Sequence, residues 1–320
     1  MRTMRMKRIW VLVLVLVLAA GALSFAQDKP MKGWTVGYLP GSVNDALRIT
    51  WSKYLQTTVE AAGGRVITID SQNDATKQVS DGEDILQMKI NILVINPIDA
   101  AAMEPIVDKA NSRQIPVVCI DRTVEKGDVL TTVEFDNWKA GNDAGEFIAK
   151  ALGGKGKVMQ IQGTLGASVV YERGESFRQA IAKYPGIKIV AEPASKLWTT
   201  EDALAFTEDA LSANPDLKAI WTHADALALG AYNAVQAKGK EGQVIVVGMG
   251  MYSGIPEIIK AGKGKVYTWA LLPEEVGSAT GNVCIKIARK QTADIKKITP
   301  TPLIWIGSDN IEANWKYKLD

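Results

Sequence analysis

The stretch Ile92-Leu93-Val94-Ile95-Asn96-Pro97, followed after a helix-period segment by Pro116-Val117-Val118-Cys119-Ile120-Asp121-Arg122, decides the fold. Two apolar runs each stop abruptly at polar residues, and Ala100 to Ser112 between them carries apolar residues at helical spacing. This is a βαβ unit. A crossover of that length forces parallel strands, and parallel strands buried on both faces read as continuous apolar runs. Ligands of open parallel sheets gather at the carboxyl ends of the strands. Here those ends are Asn96, Asp121 and Arg122. A carboxylate and an amide oxygen accept hydrogen bonds while a guanidinium donates through its fork, a set suited to fixing neutral hydroxyls.

The same alternation extends along the chain. Strand-like runs are read at 35–39, 65–69, 130–135, 157–161, 187–190, 219–222, 243–247, 265–270 and 303–306. Helix-period segments are read at 45–62, 75–88, 139–152, 169–183, 201–212, 226–237, 255–261 and 274–290. Alternation of this kind predicts α/β architecture with parallel sheets. The strands are too many for one open sheet, so two similar doubly wound lobes are expected. No Ser- or Pro-rich linker divides the halves, and the boundary is therefore a crossing within the fold.

Met1 to Ala26 reads as a secretory signal peptide: Arg2, Arg5, Lys7 and Arg8 form a basic start, Ile9 to Ala20 an apolar core, and Ser24-Phe25-Ala26 a cleavage site. The core falls short of the roughly 20 residues that span a bilayer. No cysteine lies near the cleavage point for lipidation, which points to a free protein in a Gram-negative periplasm. Cleavage removes four of the 37 basic residues and none of the 35 acidic ones, leaving 33 against 35 and a formal charge of −2. No long Lys/Arg run remains for nucleic acid, and Lys238-Gly239-Lys240 and Lys263-Gly264-Lys265 read as turns after helices. Cys119 falls in a strand and Cys284 in a helix; both read as buried free thiols, which an exported protein could pair if geometry allowed.

Motifs for catalysis are missing. There is no Gly-x-x-x-x-Gly-Lys-Ser/Thr, and Gly248-Met249-Gly250-Met251-Tyr252-Ser253-Gly254 misses Gly-x-Gly-x-x-Gly by one residue, reading instead as a strand-to-helix turn near a cleft. His223 is the only histidine, too few with two separated cysteines for a usual zinc cluster, and no Gly-x-Ser-x-Gly elbow exists to pair with it. It reads as a polar strand-end residue beside the cleft. Glu201-Asp202 and Glu274-Glu275 fall at helix starts, where the dipole favours negative charge. No cofactor or metal is expected, and no enzyme activity.

Asp70-Ser71-Gln72-Asn73-Asp74-Ala75, Val94-Ile95-Asn96-Pro97 and Pro116 to Arg122 resemble, in order and spacing, the ribose-binding-protein type of periplasmic sugar-binding protein, the soluble receptors of ABC importers. The resemblance continues through Gly163 to Ser168, Glu172-Arg173-Gly174 and Ala226 to Gly230, nearly the whole mature chain. It implies two lobes joined by three hinge crossings near Phe135-Asp136, Leu271-Leu272 and Pro300-Pro302. The lobes would be 33–135 plus 272–301 and 136–271 plus 302–320, with the ligand cleft between them.

The resemblance also implies roles. Asp121 and Arg122 would hydrogen-bond sugar hydroxyls, Arg173 would be the sugar-binding arginine of the Glu-Arg-Gly motif, and Trp198 would cover the sugar. A basic residue early in a helix opposes the dipole, which independently favours function for Arg173. Around positions 47 and 48 the family carries stacking aromatics, and a subgroup an arginine after a tryptophan. This chain has Leu47 and Arg48, so Arg48 is a cleft candidate without a stacking partner before it. Where the family commonly has asparagine, aspartate and glutamine, this chain has Ala224, Gly250 and Leu271. Ribose is therefore not expected. His223, Asp225, Met249 and Trp269 are near enough in sequence to compensate.

The expected function is a monomeric, exported solute-binding protein of an ABC importer, closing on a sugar or polyol and passing it to a membrane permease. One alternative is a sensory co-receptor, presenting a small signal molecule or nucleoside to a chemoreceptor or kinase. The other, from a different class, is a secreted α/β hydrolase. Sugar-responsive repressors share the two-lobed fold but begin with a DNA-binding helix pair, where this chain has an export signal.

Overall fold

The computed structural model describes residues 29–44 and 46–319. The leader read at Met1 to Ala26, and Asp45 at the expected start of the first helix, lie outside the described residues. Two six-stranded sheets organise the rest. Across the first run β11 (Ile298–Thr301), β5 (Thr131–Phe135), β4 (Val117–Ile120), β3 (Ile92–Ile95), β1 (Thr35–Leu39) and β2 (Arg65–Thr68). Across the second run β12 (Ile304–Ile306), β10 (Lys265–Ala270), β9 (Ile245–Gly250), β8 (Leu217–Thr222), β6 (Lys155–Ile161) and β7 (Gly186–Ala191). All pairings are parallel except that of β10 with β12. The two orders are the same pattern, and in each the strand order reverses beside the first strand, the switch point at which such sheets bind ligands.

The deciding stretch behaves as its composition requires. Every residue of β3 and β4 is buried, with Leu93 in register with Val117 and Ile95 with Cys119. Each such aliphatic side chain contributes about 1.5–3 kcal/mol when fully buried. One polar atom that enters this core is partnered there: Trp51 Nε1 donates to the Tyr38 hydroxyl at 2.8 Å. Cys119 and Cys284 are both buried and free, and burial pushes each thiol up to about 12.

Three chain passages join the sheets. One leaves β5 at Phe135 for β6, one leaves β10 at Ala270 for β11, and one joins β11 to β12 through Pro302 and Leu303. In the second passage the helix Pro273–Ala288 returns to pack on α1 (Ala46–Ala61).

Some boundaries differ from the sequence reading. Ile298–Thr301 forms a strand where the resemblance implied only a crossing near Pro300-Pro302. β11 pairs only with β5, and a sheet edge tolerates a residue without an N–H. The helix read from Ala100 begins at Glu104. Asp99 turns the chain first by accepting from the Ala102 amide at 2.8 Å, and the Ala100 amide leaves the helical ladder to donate to Gly166 O at 3.2 Å. Gly248 and Gly250 lie within β9 rather than in the turn after it.

Candidate functional site

One cavity of about 560 Å³ lies between the two sheets and takes its walls from both. From the first sheet come Ser42 and Asn73, after β1 and β2, Asp121 and Arg122 at the end of β4, and Arg48 on α1. From the second come Arg173 on the helix Ser168–Ala182, Trp198 after β7, His223 and Ala224 after β8, Met249 on β9 and Leu271 after β10. Six residues anticipated from sequence therefore share one wall system: Arg48, Asp121, Arg122, Arg173, Trp198 and His223. The other two, Asn96 and Asp225, do not line it.

On the first side the chain is held in an uncommon conformation. Asp121 has φ 64°, in the left-handed region that costs a non-glycine residue about 1–2 kcal/mol. Its amide donates to Val133 O at 2.7 Å. Arg122 Nε stands 3.8 Å from Asp121 Oδ2, with both side chains buried, and Arg122 Nη1 donates to Pro97 O at 3.4 Å. Asn96 works behind them: its Nδ2 donates to Ile120 O at 2.8 Å and lies 3.5 Å from Asp121 Oδ2. That ties the ends of β3 and β4 together and aims Asp121 at the cavity.

On the second side Trp198 is also left-handed, at φ 60°, and its Nε1 donates to Thr164 Oγ1 at 2.7 Å. The indole lies against Gly163, where any Cβ would collide with the ring. Arg173 is 5% exposed; its Nε donates to Asn137 Oδ1 at 2.8 Å and its Nη1 to His223 O at 2.7 Å. Desolvation draws its pKa down, opposed by the charge of Asp121 and other acidic neighbours. His223 is fully buried, and desolvation, with Arg173 and Arg178 nearby, holds its pKa well below the ordinary value, so the ring is neutral. Its Nε2 faces Gln160 Oε1 at 3.4 Å, with neither a carboxylate nor a nucleophile to form a triad.

Asp225 supports the wall from behind. Its carboxylate accepts from Thr268 Oγ1 at 2.7 Å and from the Tyr252 amide at 3.1 Å, fixing the turn after β9. Gly248 is required there, since a Cβ would strike the Asp225 carboxylate. Burial raises its pKa to about 7 although these hydrogen bonds lower it.

Sequence reading missed Ser42, Asn44, Asn73, Tyr252 and Ser253, which also line the cavity. Asn73 carried a signal, since Asn tolerates the left-handed φ of 60° that it adopts here. Tyr252 did not: its ring fills the space that a side chain at Gly250 would occupy. Trp269 points elsewhere, packing edge-on against Trp305 at 5.0 Å.

Contacts span the cleft. The Arg122 guanidinium carbon is 5.9 Å from the centre of the Trp198 ring, and the Thr123 amide donates to Ser168 Oγ at 3.0 Å. Among the described residues no group of three or more His, Cys, Asp or Glu side chains could hold a metal ion. The arrangement is one for binding: donors and acceptors converge on a partly enclosed space whose aromatic and aliphatic walls can cover a small polar ring.

Residues 36–292 match the periplasmic binding protein domain. The chain is 33% identical to the ribose import binding protein of Salmonella typhimurium over 92% of its own length and 96% of that protein. Among solved structures it resembles the fructose-binding periplasmic domain of a hybrid two-component system, at 25% identity and TM-score 0.80, covering 88% of this chain and 93% of that one. It also resembles a Mycobacterium smegmatis ABC transporter solute-binding protein with bound glycerol, at 27% identity and TM-score 0.79, covering 88% and 96%. The chain belongs to the periplasmic binding proteins, among the sugar-binding proteins of the ribose-binding type.

Proposed function

We propose that the chain is the exported, periplasmic receptor of an ABC importer, a non-enzymatic protein that closes two lobes on a sugar or polyol and presents it to a membrane permease. The observation that carries this is a cavity walled by the strand ends of both sheets, with Asp121, Arg122 and Arg173 lining it. The lobes are 33–135 plus 272–301 and 136–271 plus 302–320, pivoting where the chain passes between sheets. Closure takes the ligand out of water, which strengthens the charge-assisted hydrogen bonds that hold it. The relatives support the class of ligand: one is named for ribose import and one similar structure holds glycerol.

The test is a thermal-shift screen of refolded protein against sugars and polyols. A ligand at 100 times its Kd adds about 2.7 kcal/mol and raises Tm by several degrees. No shift with any sugar or polyol overturns the reading. A second reading, a sensory co-receptor, is favoured by the similarity to the domain of a two-component system. Signalling without uptake, in cells lacking this protein and then resupplied with it, would select it.

A further inference from the structure

The two walls of the cavity differ in chemistry. The first sheet brings Ser42, Asn73, Asp121 and Arg122 to its strand ends. The equivalent ends of the second sheet bring Ala224, Met249 and Leu271, each no more than 5% exposed and each lining the cavity. Two polar residues beside these three are turned inward, while Arg173, Tyr252 and Ser253 also line the cavity from this side. Asp225 is occupied by Thr268 and the Tyr252 amide, and Thr222 Oγ1 lies 3.1 Å from both Ala224 O and Val247 O. His223 Nε2 faces Gln160 Oε1 at 3.4 Å, and its Nδ1 is buried without a protein partner.

A hydroxyl laid against Ala224, Met249 and Leu271 would leave water without gaining a partner, whereas a C–H or methyl edge would lose nothing there. Resting on the sugar-binding reading above, we propose that the ligand is a deoxy sugar, its hydroxyls toward Asp121 and Arg122 and its deoxygenated edge against Ala224, Met249 and Leu271. The aliphatic patch sets the preference, and Asp121, Arg122 and Arg173 supply the anchoring.

Calorimetry on the refolded protein with matched pairs tests this: L-rhamnose against L-mannose, L-fucose against L-galactose, 6-deoxy-D-glucose against D-glucose, and 2-deoxy-D-ribose against D-ribose. In at least one pair the deoxy member should bind about tenfold more tightly or better, equal to about 1.4 kcal/mol. Leu271→Gln, which returns an amide to the wall, should narrow or invert that ratio. Ala224→Asn gives the same readout if the first variant folds poorly. Tighter binding of the fully hydroxylated member in every pair that binds overturns the deoxy assignment and leaves the sugar reading standing. No binding in any pair, together with silence in the wider screen, overturns both.

Discussion

The Arg122 guanidinium lies 5.9 Å from the centre of the Trp198 ring, so a cation at a strand end of the first sheet faces an indole carried by the second. Each is fixed from behind, Arg122 by Asp121 and Pro97 O and Trp198 by Thr164. Arg122→Ala removes both a ligand donor and this contact. It should weaken ligand binding by about 1.5–3 kcal/mol, the range for hydrogen bonds from charged groups. Titration calorimetry with the ligand found in the screen measures it, and unchanged affinity removes Arg122 from the site.

Gly163→Ala tests how Trp198 is held. The added methyl must displace the indole, which lies directly on the bare Gly163 backbone. Binding should weaken by about tenfold, or about 1.4 kcal/mol, with far-ultraviolet circular dichroism unchanged. Retained affinity would mean that the ring position does not matter to the ligand.

Ser168 lies outside the cavity wall but accepts the Thr123 amide across the cleft at 3.0 Å. Ser168→Ala should therefore cost binding about 0.5–1.5 kcal/mol, seen in stopped flow as faster dissociation with little change in association. An unaltered dissociation rate would exclude this bond from closure.

Glu134 on β5 and Glu172 on the helix Ser168–Ala182 share a second cavity, also lined by Lys297. Burial first, then the charges of Glu172, Asp121 and Asp136, raise the Glu134 pKa from 4.5 to about 9, against the opposite pull of Arg173. The sign follows from linkage. The folded chain holds this proton more tightly than the unfolded chain, so the stability it gives is complete below about pH 4.5 and lost as pH climbs through about 9. Glu134→Gln should melt higher than the parent at pH 8, by on the order of 3 °C, which is about 1 kcal/mol for a protein of this size. The gap should close toward pH 4.5. Because the two carboxylates stand on opposite lobes, separating the lobes relieves their repulsion, and ligand affinity should fall as pH rises toward 9. A flat affinity profile between pH 6 and 9 would contradict this.

Asp225→Ala leaves the Thr268 hydroxyl and the Tyr252 amide without their acceptor. Stability should drop by about 2–3 kcal/mol in urea unfolding, as for other broken buried networks. A loss in ligand affinity larger than the loss in stability would instead give Asp225 direct contact with ligand.

Strands made of continuous apolar residues were legible in the sequence because burial on both faces leaves no other composition: 92–95 and 117–120 begin and end where the sequence says. Ile298–Thr301 was not, since Ile-Thr-Pro-Thr is no apolar run and its proline is tolerated only because β11 is an edge strand. In the site, residues on strand ends could be read, because their place follows from the apolar run before them. Asn96 and Asp225 show the limit of that logic. Asn96 follows a strand and Asp225 opens a helix, yet short side chains there can turn back to tie neighbouring strands and turns, and only the hydrogen-bond geometry reveals the direction. Tyr252 was hidden for the opposite reason, since it reaches the cavity from a turn by filling space vacated at Gly250.

The passage from β11 to β12 through Pro302 and Leu303 places two neighbouring segments at the edges of different sheets. During synthesis the first sheet waits for residues 298–301, long after its other five strands have emerged, and the second waits for residues 304–306. Neither half can finish before almost the whole chain exists. A clip at Pro302 would then loosen one strand on each side at once, so the carboxyl-terminal segment acts as a late clasp on both halves and a single weak point for proteolysis.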